Sequence, residues 1–149
     1  MSKNVYLGTA IGIATEAHIN TFDRGGRPYI LHPLHVMNQL LFDTELATIG
    51  VLHDVIEDSD VSISELYLMG FNTRICEALE LLTHDKKDSY ETYITRISTN
   101  YDAIRVKRKD LEHNSDITRL KGVTTKDLSR MKKYHNAFLR LGKAKAEFK

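Results

Sequence analysis

The chain has 149 residues, 42% of them hydrophobic and 28% charged. That length suits one domain, and the balance excludes a disordered or membrane-embedded polypeptide. No apolar run approaches the roughly 18 residues of a spanning helix, and the N-terminal MSKNVYLGTAIGIATEAH lacks the basic start and long apolar core of a secretory signal. The single cysteine, Cys76, cannot form an internal disulfide, which fits a reducing, cytoplasmic setting. The formal net charge of +1 hides a split. Residues 1–104 carry 7 Lys/Arg and 15 Asp/Glu, a balance of −8, while residues 105–149 carry 14 and 5, a balance of +9. Such a split can build a cation site facing an anion site, or simply pair the chain's own surfaces.

Only 2 prolines interrupt the chain, both within RPYILHP, and apolar residues recur at three- and four-residue spacings. The pattern predicts an all-α single domain. A first helix is expected over about 4–21, stopping at Asp23-Arg24-Gly25-Gly26. Pro33 suits the first turn of a second helix through Val36, Leu40 and Leu41. Asp43 or Thr44 can cap a third helix running to about Ile56. Ser62-Ile63-Ser64-Glu65 has capping-box spacing for a short helix ending at Gly70. Asn72 can cap the helix of Ile75, Leu79 and Leu82, and Asp88 to Glu91 offers another box before Tyr93, Ile94 and Ile97. Asp102 can open a long helix to about Leu120, and a basic helix covers about 126–147.

Three segments carry candidate chemistry. In Leu52-His53-Asp54-Val55-Ile56-Glu57-Asp58, helical spacing makes positions 53 and 57, and 54 and 58, neighbours one turn apart. A His-Asp pair thus lies beside a Glu-Asp pair against apolar Leu52, Val55 and Ile56. Burying four titratable groups is costly unless they bind a cation or share protons; a helix end whose acids face water shows the same pattern. His32 precedes a helix start set by Pro33, and His35, one turn on, competes for its role. In the long helix, Asp110 and Asn114 interrupt a stripe that should face the core, unless the helix is rotated so that they meet solvent. Two His and two Asp could supply N and O ligands to one divalent ion such as Mn²⁺, Fe²⁺, Co²⁺ or Zn²⁺.

These residues resemble a known pattern. His32, His53-Asp54 and Asp110, in that order, are similar to the H…HD…D signature of the HD superfamily of metal-dependent phosphohydrolases. Arg27-Pro28-Tyr29-Ile30-Leu31-His32-Pro33, Leu52 to Asp58, and Val106-Lys107 through Asp110 to Asn114 resemble the framing motifs of alarmone, (p)ppGpp, hydrolases of the RelA/SpoT type and their small stand-alone relatives. The resemblance runs from about residue 10 to 141. It implies an HD-domain bundle of about seven or eight helices with a metal site in its core, and one hydrolase domain over 1–149 without synthetase or regulatory domains.

The same resemblance implies metal ligands at His32, His53, Asp54 and Asp110, with Mn²⁺ the usual ion. The catalytic acid pair falls on Glu57 and Asp58, which assist the water that attacks the 3′-diphosphate and releases pyrophosphate. Substrate contacts fall on Arg24 (stacking on the base), Lys86 (phosphate), Asn114 (base or ribose), and Arg130 with Tyr134 (closing the nucleotide pocket). Lys107 is a further expected phosphate contact. The sequence departs from the pattern at Asp23, where a second basic residue is common, at Ile117 in place of a threonine, and in a shortened stretch between His32 and His53. The partner implied is a small nucleotide, with no membrane; another nucleotide, such as NADPH or a nucleoside monophosphate, remains an alternative substrate. A non-catalytic nucleotide-binding module is a further alternative, though binding alone needs no acid pair. Nucleic-acid binding by the basic last third is disfavoured by the near-neutral whole and the lack of any such motif.

Overall fold

Capping side chains set where most of the helices begin. The computed structural model describes residues 2–148 as nine α-helices and one 3₁₀ turn, with no strand among the described residues. The helices are α1 (Lys3–Ala17), α2 (Leu31–Asn38), α3 (Thr44–Leu52), α4 (Val55–Asp58), α5 (Ile63–Leu68), α6 (Thr73–Leu82), α7 (Tyr90–Ile97), α8 (Tyr101–Asn114) and α9 (Thr125–Glu147); the 3₁₀ turn is Ile117–Arg119. The expected all-α bundle forms, with α4 as an additional single turn.

Asp43 accepts the Leu46 N–H at 3.2 Å and Asn72 the Ile75 N–H at 3.1 Å, while Ser62 and Glu65 complete a reciprocal box. A second box joins Thr124 and Asp127 at the start of α9. Elsewhere the expected boundaries move. Ser89, not Asp88, caps α7, and Asn100, not Asp102, caps α8. Asp88 instead pairs with Arg96, and Asp102 is left for Arg74. Helix α1 ends at Ala17 rather than about 21, with His18 as its C-cap, and Gly26 (φ 82°) makes the turn that follows. Helix α8 ends at Asn114, six residues before the expected Leu120, and the Arg119 guanidinium donates to the His113 carbonyl at 2.9 Å, beside the Asp116 N–H at 3.2 Å.

Helix α3 is the centre of the bundle: every residue from Glu45 to Leu52 is buried. Apolar all round, it has to be enclosed, and α1, α2, α6 and α8 enclose it. At Gly50 a Cβ would come within 3.1 Å of Leu40, so glycine lets α2 lie close against α3. The core around them includes Leu46, Ile49, Leu79, Ile94 and Ile104. Only Ala137 and Leu141 of the apolar residues of α9 are fully enclosed, so that helix lies along the outside of α8.

Candidate metal centre

The helix expected to run to about Ile56 stops four residues early. After Leu52 the backbone leaves the helix at His53 and Asp54 and restarts as α4. The His53 Nδ1–H donates to the Gly50 carbonyl at 2.6 Å, satisfying an α3 terminal acceptor and leaving Nε2 to face the site. That Nε2 is buried without a hydrogen-bond partner.

It faces two carboxylates. Asp54 Oδ2 lies 3.0 Å away and Asp110 Oδ1, from α8, 3.4 Å away. His32 Nε2, from the first turn of α2, is 2.8 Å from the same Asp110 oxygen and 3.8 Å from Asp54 Oδ2. One ligand atom each from His32, His53 and Asp110 lies within 4.8 Å of the other two, and all three residues are buried. A buried imidazole nitrogen with no hydrogen-bond partner, beside a second imidazole nitrogen and two carboxylates, is a donor set suited to a divalent first-row ion. Burial raises the carboxyl pKa of Asp110, but Lys107, His32 and His53 more than reverse this and hold it well below the usual range. At Asp54 burial likewise opposes ionisation, and the His53 ring brings the carboxyl down to about 2.

Several groups hold these residues in place. Tyr29 donates its hydroxyl to Asp54 Oδ2 at 2.5 Å. Lys107 Nζ bonds Asp110 Oδ2 at 2.7 Å and Asn114 Nδ2 bonds Asp110 Oδ1 at 2.8 Å. His113 Nδ1 meets His32 Nδ1 at 2.7 Å, and the His35 ring stacks on His113 at 3.8 Å between centroids. His35 thus packs against the support of the site and is outside the three-residue cluster.

The acid pair lies on α4, which directly follows Asp54. Glu57 accepts the His84 backbone N–H, which ties α4 to the loop after α6. Asp58 is pushed up to about 6, first by burial of its inner side and then by repulsion from Asp54 and Glu57. Buried His18, whose two ring nitrogens lack partners, lies 3.9 Å from Asp58 Oδ2. Beside Tyr29 opens a cavity of about 310 Å³ lined by Arg24, Asn114, Arg130 and Tyr134, among others. Lys86 does not line it; that side chain is exposed on the loop between α6 and α7. Lys107, expected at a substrate phosphate, is spent on Asp110. Asn114 serves Asp110 as well as lining the cavity, and Arg130 is ion-paired to Asp127.

Known proteins are similar to the chain in sequence and in fold. A guanosine-3′,5′-bis(diphosphate) 3′-pyrophosphohydrolase of Aquifex aeolicus is 33% identical over 86 residues, covering 56% of this chain and 12% of that protein. One from Danio rerio is 32% identical over 92 residues, 57% of this chain and 51% of the relative. The chain therefore spans about half of the small relative and about an eighth of the long one. A solved structure described as a metazoan ortholog of SpoT that hydrolyses ppGpp superposes with a TM-score of 0.74 at 18% identity, over 91% of this chain and 84% of the other. No family model matches the chain. In sequence and in fold, the chain resembles the RelA/SpoT-type HD hydrolases.

Against that resemblance, four contributors escaped the sequence reading of individual roles: His18, Tyr29, His113 and the Asp110-binding role of Lys107. A signal existed for two of them. Lys107 and His113 flank Asp110 at three-residue spacing on one face of α8. His18 and Tyr29 come from separate segments and meet the site only through packing.

Proposed function

We propose that this chain is a metal-dependent phosphohydrolase that removes the 3′-diphosphate of (p)ppGpp as pyrophosphate, leaving GDP or GTP. The observation that carries the reading is the convergence of His32, His53 and Asp110, with Asp54 beside them, below an acid pair and next to a nucleotide-sized cavity. His32, His53, Asp54 and Asp110 would hold the ion, taken as Mn²⁺. When bound, the ion supplies Lewis acidity that brings a coordinated water toward neutral pKa.

The chain's own groups do the rest. Asp58, at about 6, can take and return a proton near neutral pH, whereas Glu57, anchored to the His84 amide, orients the attacking water. Lys107 occupies Asp110 Oδ2 and leaves Oδ1 facing the two histidines, while Tyr29 holds Asp54 by the oxygen that faces His53 and so fixes its position. Arg24 and Tyr134 offer a planar cation and a ring to the nucleobase, and Arg130 and Asn114 add hydrogen bonds. Lys86 would reach phosphate by movement of its loop. A cytoplasmic location accords with the nucleotide substrate, and among the described residues no helix is long and apolar enough to cross a membrane.

A second reading, a phosphatase for NADPH or a nucleoside monophosphate, draws on the cavity's charge. Asp23, Asp116 and Asp127 stand among its lining beside Arg24, Arg119 and Arg130, and Asp23 lies 3.5 Å from Arg119. Such a balanced wall attracts a polyanion less than a basic one does. Product analysis separates the two: purified protein with Mn²⁺ should release pyrophosphate from ppGpp. Glu57→Gln and Asp58→Asn should each lower the rate by about 10²–10⁴-fold while metal is retained. Orthophosphate from NADPH alone selects the second reading, and no turnover on either substrate rejects both.

A further inference from the structure

Helix α8 has a second working face. Residues two apart on a helix point about 200° from one another, so Arg108 faces away from Asp110 and the metal centre. Arg105, Arg108, Lys109 and Glu112 share that opposite stripe, and with Lys145 of α9 and Phe42 of the α2–α3 loop they line a cavity of about 270 Å³.

Its charges are unevenly satisfied. Arg105 pairs with Asp102 at 2.7 Å, and Lys109 with Glu112 at 3.1 Å. Among the described residues Arg108 and Lys145 have no carboxylate partner, and Arg108 Nε is buried with no hydrogen-bond acceptor. The Arg108 guanidinium is nevertheless held in one place. It stacks over Phe138 at 4.1 Å, and Gly142 leaves room for it, since a Cβ there would stand 3.3 Å from Nη2. A cation oriented by an aromatic face, half-buried and without a counter-charge is costly for a fold to keep. A guanidinium fork has the geometry to bind phosphate oxygens in pairs.

We propose that this cavity is a second, phosphate-binding site, with Arg108 and Lys145 as its anion contacts. Its volume falls just under the roughly 300 Å³ lower range of drug-sized ligand sites. That leaves room for a phosphate or diphosphate group. Phe42, 73% exposed at the rim, offers a surface on which a base attached to that group can lie. The site is independent of the proposed hydrolysis, because it shares no lining residue with the cavity beside the metal centre.

Amide and Arg Nε–H NMR titration of the full chain, without added divalent metal, tests this with pyrophosphate, GDP and sodium chloride at matched ionic strength. Saturable shifts are expected at Phe42, Arg108 and Gly142 with pyrophosphate. Tighter binding of GDP identifies a nucleotide, and equal binding a bare diphosphate. Arg108→Met, which keeps the stem over Phe138, should weaken binding about tenfold or more, and Lys145→Glu at the half-exposed rim should do the same. Shifts confined to residues around Arg24 and Tyr134, shifts reproduced by chloride, or unchanged affinity in both folded variants would overturn the assignment.

Discussion

The contact between His32 Nδ1 and His113 Nδ1, 2.7 Å, requires one proton between two nitrogens. Burial, then the neighbouring Arg119 charge, brings His113 down to about 4, so it is neutral at physiological pH. A neutral His113 can accept the His32 Nδ1–H, which fixes the ring so that Nε2 faces Asp110 and the candidate ion site. Second-sphere partners of this kind are worth about 10–100-fold in metal affinity. His113→Phe, which keeps the ring stack with His35 but removes the acceptor, should weaken Mn²⁺ binding by that factor. His113→Gln, which restores an acceptor oxygen, should recover most of it. Isothermal titration of the metal distinguishes the two, and equal loss in both variants would reduce His113 to a packing role.

Between elements, Arg74 is the main polar joint away from the site. From α6 its guanidinium reaches Asp43 at the start of α3 (2.7 Å), Glu45 in α3 (3.3 Å) and Asp102 in α8 (2.9 Å). Arg74 hydrogen bonds hold the Asp43 carboxyl below its ordinary value. At Glu45 and Asp102 burial works the other way, and their bonds to Asn72 and Arg74 respectively outweigh it. All three carboxyls therefore ionise at lower pH when folded than when unfolded. The stability they confer is complete above the unfolded values of about 4 and is lost as pH falls through the folded ones. Arg74→Met should cost about 1–3 kcal/mol at pH 7, and urea melts at pH 3 should show the difference between variant and parent shrinking. The expected Asp102 cap illustrates why such joints escape sequence reading. Asp102 and Asn100 are both good capping types, and the choice between them is made by Arg74, 28 residues away.

For the molecule as a whole, the site ties α2, the α3–α4 break and α8 to one point. An ion that binds only when these converge stabilises the folded state by about 2.7 kcal/mol at 100 times its dissociation constant. For a domain of this size that corresponds to a rise of roughly 5–10 °C in melting temperature. Scanning calorimetry with Mn²⁺ and with chelator should show the rise, and Asp110→Asn should remove most of it. The division into an acidic first part and a basic last part takes a more exact form here. Asp54, Glu57 and Asp58 do gather around the candidate ion site, yet Lys107 from the basic part neutralises Asp110, and Arg105, Arg108 and Lys109 of α8 with Lys145 of α9 line the cavity on the far side.

Helix identity, the caps at Asp43, Ser62 and Asn72 and the residue types of the candidate metal centre were legible in the sequence alone, because each depends on neighbours within three or four positions. The capping box at Ser62 and the apolar stripes of α6 and α7 are interactions of that range. The chain break after Leu52, the meeting of His32 with Asp110 78 residues on, and the recruitment of Tyr29, His113 and Lys107 were decided only by the tertiary structure. The reason is energetic: a buried donor or acceptor must find a partner wherever packing puts one. Packing of α2 and α8 against α3 places those partners across the chain.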